Sequence, residues 1–111
     1  MILFGLKNCD SCRKARKWLA ANGIAHEFID LRDDVPSVQT LKAWHEALGD
    51  GLLNRRGTTW RQLPESEKAR AEHSLPQLLQ DHPALIKRPV LVTPDRLLSG
   101  FDETSWTRAV A

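Results

Sequence analysis

Residues 2–6, Ile-Leu-Phe-Gly-Leu, form an apolar run without a polar break, the pattern of a short buried strand. Asn8 to Asp10 interrupt it, and from Ser11 the spacing changes. Cys12, Ala15 and Leu19 fall at i, i+3 and i+7 with Trp18 beside them, while Arg13, Lys14, Arg16 and Lys17 take the intervening positions. That is the stripe of an amphipathic helix, and Asn22-Gly23 is its stop. A second strand is expected over about Ala25 to Leu31, with Ile29 and Leu31 on one face and Phe28 on the other. Asp34 or Ser37 caps the next helix, with Pro36 in its first turn. Val38, Leu41, His45 and Leu48 line one side of it, Trp44 widens that side, and Gly49-Asp50-Gly51 ends it. Residues 52–63 are less regular: Leu52-Leu53 read as buried, Arg55 to Thr59 as a loop. Two short helices are expected near 65–73 and 75–82, with Pro76 in the first turn of the second and His82-Pro83 breaking it. Val90 to Val92 reads as a strand, Thr93 to Arg96 as a turn and Leu97-Leu98 as a strand. Asp102 or Thr104 then caps a short helix that runs through Trp106.

The order is β-α-β, a helical middle, a β-hairpin and a helix. A β-α-β opening implies parallel strands joined by a right-handed crossover, and the hairpin adds antiparallel pairing. The expected fold is α/β: a small mixed sheet flanked by helices, on a thioredoxin-like plan. One domain is expected over residues 1–111, with a helical insertion at about 35–83 between the two halves. A chain of 111 residues suits one domain and buries enough surface to need no disulfide staples. Lys plus Arg number 16 against 14 Asp plus Glu, a net +2, which argues against a general polyanion binder. No apolar run approaches the ~20 residues of a membrane span. The opening Met1-Ile2-Leu3-Phe4-Gly5 has no charged leader, so the expectation is a cytoplasmic protein.

Composition changes the picture most at cysteine. There are two, Cys9 and Cys12. Two cysteines do not make a secreted disulfide framework, but they make a redox pair. Cys9 falls where a strand gives way to a helix, and the unpaired N–H groups and positive dipole end there favour an anion. Lys7, Arg13 and Lys14 add positive charge nearby and Asp10 opposes it. Cys9 is therefore the expected nucleophile, since the thiolate is the reactive form. Cys12 is expected to resolve the mixed disulfide through which thiol exchange passes. Two blander readings compete. A C-x-x-C is half of a structural zinc site, but no second C-x-x-C exists and His73 and His82 do not pair at a short spacing, so no metal is expected. Cys12 also lies on the apolar stripe, as a plain core cysteine would. A second constellation is Leu85-Ile86-Lys87-Arg88-Pro89-Val90, a basic pair and a proline before a strand. The physics of X–Pro bonds leaves cis and trans open there. Trp18, Trp44, Trp60 and Trp106 read as core, Arg55-Arg56 as a solvated loop, and His26, His45, His73 and His82 have no catalytic partner. No phosphate-cradling glycine loop is present, and no direct nucleic-acid contact or membrane contact is expected.

Asn8-Cys9-Asp10-Ser11-Cys12-Arg13-Lys14-Ala15, with Arg16-Lys17-Trp18-Leu19 after it, resembles the ArsC/Spx/YffB family. So do Ala84 to Val90 and Arg96-Leu97-Leu98 leading into Gly100-Phe101. The stretch Leu52 to Arg61 resembles the YffB branch in particular. The resemblance covers nearly the whole chain. It implies a thioredoxin-like domain with a helical insertion, Cys9 as nucleophile and a cis bond at Pro89. The family's arsenate reductases bind their oxyanion with three arginines. Arg88 matches one, and the other two positions hold Asp50 and Ser99, which speaks against arsenate because an anion site needs positive charge. YffB-like members imply a glutathione-dependent thiol reductase, and Spx members imply a redox-sensing adaptor that binds RNA polymerase. The leading expectation is a thiol–disulfide oxidoreductase with no bound cofactor and glutathione as co-substrate. Cys9, Cys12 and Arg88 carry the chemistry, and Lys7, Asn8, Arg88 and Pro89 bind substrate or glutathione. The Spx-like adaptor is the alternative, and arsenate reductase a further, disfavoured one.

Overall fold

The computed structural model describes Met1–Val110. The chain divides into two compact units. One is built from Met1–Asp34 and Arg88–Ala111, the other from Val35–Lys87.

The first unit holds a four-stranded sheet of order β2-β1-β3-β4. Strand β1 (Ile2–Gly5) pairs parallel with β2 (Glu27–Asp30) and antiparallel with β3 (Val90–Val92). Strand β3 pairs antiparallel with β4 (Leu97–Ser99). The parallel pair needs a crossover, and α1 (Asp10–Ala21) supplies it. The register sets Leu3 opposite both Phe28 and Leu91, so the apolar alternation of three strands meets at one level. Leu3 and Leu91 bury against Ala15 and Leu19 of α1 and Trp106 of α7 (Glu103–Val110). Trp18, Phe28, Leu98, Phe101 and Val110 close around that cluster. Phe101 meets Trp106 edge-on at 5.0 Å between ring centroids, a favoured aromatic geometry. The Trp106 indole N–H donates to the Gly100 carbonyl at 3.0 Å, so its polar end is not stranded in the core.

Several boundaries differ from expectation. Strand β2 begins at Glu27 rather than Ala25, and β1 ends at Gly5. The last helix runs on to Val110, because Val110 still finds the core cluster to pack on. Asp102 rather than Thr104 caps it, its carboxylate accepting the Ser105 N–H at 3.3 Å.

The second unit is helical. Helix α2 (Val38–Leu48) starts at Ser37, whose hydroxyl accepts the Thr40 N–H. Asp34 is not the cap, and Pro36 lies before it rather than in the first turn, where its ring is buried. Leu41 and Trp44 are its buried positions, and α2 packs on α6 (Leu75–Asp81). Residues 58 and 59, expected in a loop, open α3 (Thr58–Gln62). The helix expected near 65–73 is two pieces, α4 (Glu65–Lys68) and α5 (Arg70–His73). Ala69 keeps helical dihedrals between them, but the Glu72 N–H bonds back to Ala69 in a tighter turn. Arg70 ties the region together, donating to Glu67 and Asp81 at 2.7 Å each. Leu52 and Leu53 are buried as expected, and Leu53 bridges to Ile86.

Candidate active site

Cys9 is the N-cap of α1, with extended backbone angles. The local sequence explains this. The apolar strand ends at Gly5, the Cys9 N–H bonds back to the Leu6 carbonyl at 3.2 Å, and the Cys9 carbonyl accepts the Arg13 N–H to open the helix. The Cys9 sulfur thus faces the unpaired N–H groups of the first turn. Among the described residues both cysteines are free thiols, Cys9 partly exposed and Cys12 fully buried.

Their electrostatics diverge. Partial burial works to raise the Cys9 thiol. It is outweighed by the Cys12 backbone N–H, the Cys12 thiol and the Arg88 guanidinium, which hydrogen-bond to the sulfur, with the positive charge of Arg88 adding to them. The net result lies below the ordinary value of 9.0. Burial pushes Cys12 the other way, up to about 12; the Leu6 N–H pulls it down, while the neighbouring Cys9 adds to the rise. Cys12 is therefore held as a neutral thiol, and its hydrogen bond to the Cys9 sulfur favours the charged form of Cys9. Two cysteines one turn apart are thus shifted in opposite directions, Cys9 towards the thiolate and Cys12 towards the neutral thiol.

The cation against the thiol is Arg88, brought there by the sheet. Strand β3 lies beside β1 with Phe4 opposite Val90, so the residues just before Val90 arrive next to the end of β1, where Cys9 follows. The Arg88-Pro89 peptide is cis. Pro89 is buried and its carbonyl accepts the Gly100 N–H at 2.8 Å, so that carbonyl belongs to the β3–β4 hairpin. A ligand would have to read other groups of this segment. Asn8 is exposed in the turn before Cys9.

The local cations behave otherwise than the sequence suggests. The Lys7 ammonium pairs with Asp33 at 3.3 Å on the surface, and Arg13 pairs with Asp10. Hydrogen bonding from Arg13 also holds the Asp10 carboxyl below its usual range. Asp10 is thereby answered by its own neighbour. Asp50 lies exposed in a 3-10 turn (Gly49–Leu52) and Ser99 stands in β4 opposite Val90.

Asp30 was not legible as a site residue. Its carboxylate accepts the backbone N–H of Lys7 at 3.1 Å and of Arg32 at 2.9 Å, which pins the loop that leads to Cys9. An aspartate at the end of a strand has many uses, and only the parallel pairing of Gly5 with Asp30 puts it beside that loop. Among the described residues no group of three or more His, Cys, Asp and Glu side chains converges as a metal site. No helix among them is long and apolar enough to cross a membrane.

Comparison with known proteins places this geometry. The model of the ArsC family matches residues 4–109. An uncharacterized protein of Haemophilus influenzae is 38% identical over 111 residues, covering 98% of this chain and 97% of that one. A solved structure of a YffB protein superimposes with a TM-score of 0.93 at 38% identity, over 99% of this chain and 98% of that one. The global transcriptional regulator Spx of Staphylococcus saprophyticus is 28% identical over 104 residues, covering 91% of this chain and 79% of the regulator. The expected architecture is thus the observed one, a thioredoxin-like mixed sheet with flanking helices.

Proposed function

The chain belongs to the ArsC family, and from that premise we propose that it is a thiol–disulfide reductase that draws its electrons from glutathione. The observation that carries the reading is the half-buried Cys9 at the N-cap of α1, with Cys12 one turn on and Arg88 brought beside it by the pairing of β1 with β3. Hydrogen bonds and positive charge favour a thiolate, and a thiolate at an accessible N-cap is a nucleophile.

The Cys9 thiolate attacks one sulfur of a disulfide, forms a Cys9–substrate disulfide and expels the other sulfur as a thiolate. Cys12 then attacks the Cys9 sulfur, its proton passing to the thiolate that leaves. The product is a Cys9–Cys12 disulfide. Two glutathione thiols reduce it and leave as glutathione disulfide, so two electrons enter for each disulfide reduced. A glutathione molecule also resolves the first intermediate directly when Cys12 is absent. Arg88 receives a carboxylate of glutathione, a geometry for which a guanidinium is well shaped. Lys7 helps as an exposed cation, because its surface pair with Asp33 is worth only ~1 kcal/mol or less. Asn8 lines the approach, while the buried Pro89 acts only by placing Arg88.

Arsenate is not the substrate in this reading. Asp50 and Ser99 stand at the positions of two family arginines, and a tetrahedral oxyanion needs that charge. The test is a reductase assay with glutathione and thioredoxin as competing donors and arsenate as a parallel acceptor. Glutathione-supported reduction of a mixed disulfide, lost in Cys9→Ser, is the expected result. Donation by thioredoxin with none by glutathione overturns the donor, and turnover in Cys9→Ser overturns the site.

The Spx relative favours a second reading, a redox-gated transcription adaptor using the same thiols as its switch. Retention of RNA polymerase on the immobilised protein, dependent on the Cys9–Cys12 redox state and accompanied by no turnover, would establish it in place of the enzyme.

A further inference from the structure

Gly5 ends β1, and its backbone does not explain why it is glycine. The glycines of this chain with positive φ are Gly23, Gly49 and Gly100, and Gly5 is ordinary extended strand. Glycine in a strand interior weakens it, so the reason must be space. A Cβ built at position 5 would stand 2.5 Å from the Cys12 sulfur and 3.2 Å from the Cys12 Cβ. Its next neighbour, the Phe28 ring at 3.4 Å, is at ordinary contact. The obstruction is Cys12 itself. The adjoining Leu6 N–H donates to the same sulfur at 3.5 Å. The buried thiol therefore rests on bare strand backbone, one peptide offering room and the next a hydrogen bond.

We propose that Gly5 is the positioning residue of the second thiol: by having no side chain it lets the Cys12 sulfur lie against the end of β1, where it reaches Cys9. This rests on the thiol chemistry proposed above and names the residue that makes the dithiol step geometrically possible. Exchange requires the attacking sulfur to meet the Cys9 sulfur in a defined direction. An added methyl at position 5 would drive the Cys12 sulfur from 2.5 Å to the 3.4 Å of ordinary contact, a displacement near 1 Å. Misplacement of a reacting group by ~1 Å costs on the order of 100-fold in rate.

The experiment uses the full chain with Cys9 carrying a glutathione mixed disulfide, and follows release of glutathione by acid quench and mass spectrometry. Gly5→Ala should slow release about 100-fold, and should speed alkylation of Cys12 in the native protein. In a Cys12→Ala background, adding Gly5→Ala should leave the alkylation rate of Cys9 unchanged, because the sulfur it would strike is gone and the remaining Cβ, at 3.2 Å, need give only a few tenths of an ångström. If Gly5→Ala does not fold but Gly5→Ala/Cys12→Ala does, the steric niche is supported by the rescue. Wild-type release in Gly5→Ala overturns the proposal. A further loss of Cys9 reactivity in the double variant overturns it too, as does failure of both variants to fold, since Gly5 would then serve something other than Cys12. If the wild-type protein releases no glutathione through Cys12, yet Gly5→Ala unmasks Cys12 to alkylation, the dithiol step fails while the positioning role stands.

Discussion

At the scale of single residues, the two sulfurs differ because one faces the helix mouth and Arg88 while the other lies on strand backbone. Alkylation of Cys9 by iodoacetamide should follow its thiolate fraction, with a midpoint below 9.0. Arg88→Ala removes a hydrogen bond and a positive charge that favour the thiolate, so the midpoint should move up; a profile identical to wild type would sever Arg88 from the site. Cys9→Ser should lose mixed-disulfide reduction by on the order of 1,000-fold or more, as enzymes do without their nucleophile. Cys12→Ser should keep the part that glutathione resolves for itself. Cys12 also has a stability consequence. Its folded value is raised, so the stabilisation from burying a neutral thiol is fully present below 9.0. It is lost as the pH climbs from 9.0 towards about 12, because the unfolded thiol ionises first. Denaturant midpoints should therefore fall across that window in wild type, and fall less in Cys12→Ala.

At the scale of elements, α1 serves two purposes with one stripe. Ala15 and Leu19 anchor it to Leu3 and Leu91, and that anchoring fixes where its N-cap, Cys9, is presented. Helix α7 completes the packing through Trp106. Trp106→Ala should cost ~3–5 kcal/mol by the cavity it leaves, a large part of the ~5–15 kcal/mol that holds a typical domain. Urea unfolding would measure it, and a loss below ~1 kcal/mol would mean the cluster collapses to fill the space. Ser37→Ala should cost ~1 kcal/mol by removing the cap of α2 and leave the Cys9 alkylation profile where it was.

At the scale of the molecule, the sheet order decides the chemistry. Strands β1 and β3 are far apart in sequence and adjacent in space, and Arg88 reaches Cys9 through that adjacency. Charge is nearly balanced, at +2, so under the proposed function recognition of an anion would depend on the placement of Arg88 rather than on a general field. The purified protein should consequently reduce glutathione mixed disulfides with arsenate turnover at background. Efficient arsenate reduction would mean that cations other than Arg88 gather at the thiol.

The apolar spacings of 2–6, 12–19 and 90–98 were enough to determine strand, helix and hairpin, because burial selects residues with the period of the element that buries them. The pair Cys9 and Cys12 was equally legible, since both residues and the helix start that acts on them lie within a few positions. The interior of the 35–87 segment was legible only in outline. Short helices such as α3, α4 and α5 carry too few turns to show a period, and their ends follow from contacts such as Arg70 with Glu67 and Asp81. Charge was misleading when read locally. Lys7 and Arg13 look like partners for Cys9, yet each meets a carboxylate of its own, and which cation meets the sulfur is a question of three-dimensional distance. Gly5 and Asp30 carry no periodic or motif signal either. Their parts are set by the approach of one backbone to a sulfur and of one carboxylate to a loop, and only tertiary packing brings those atoms together.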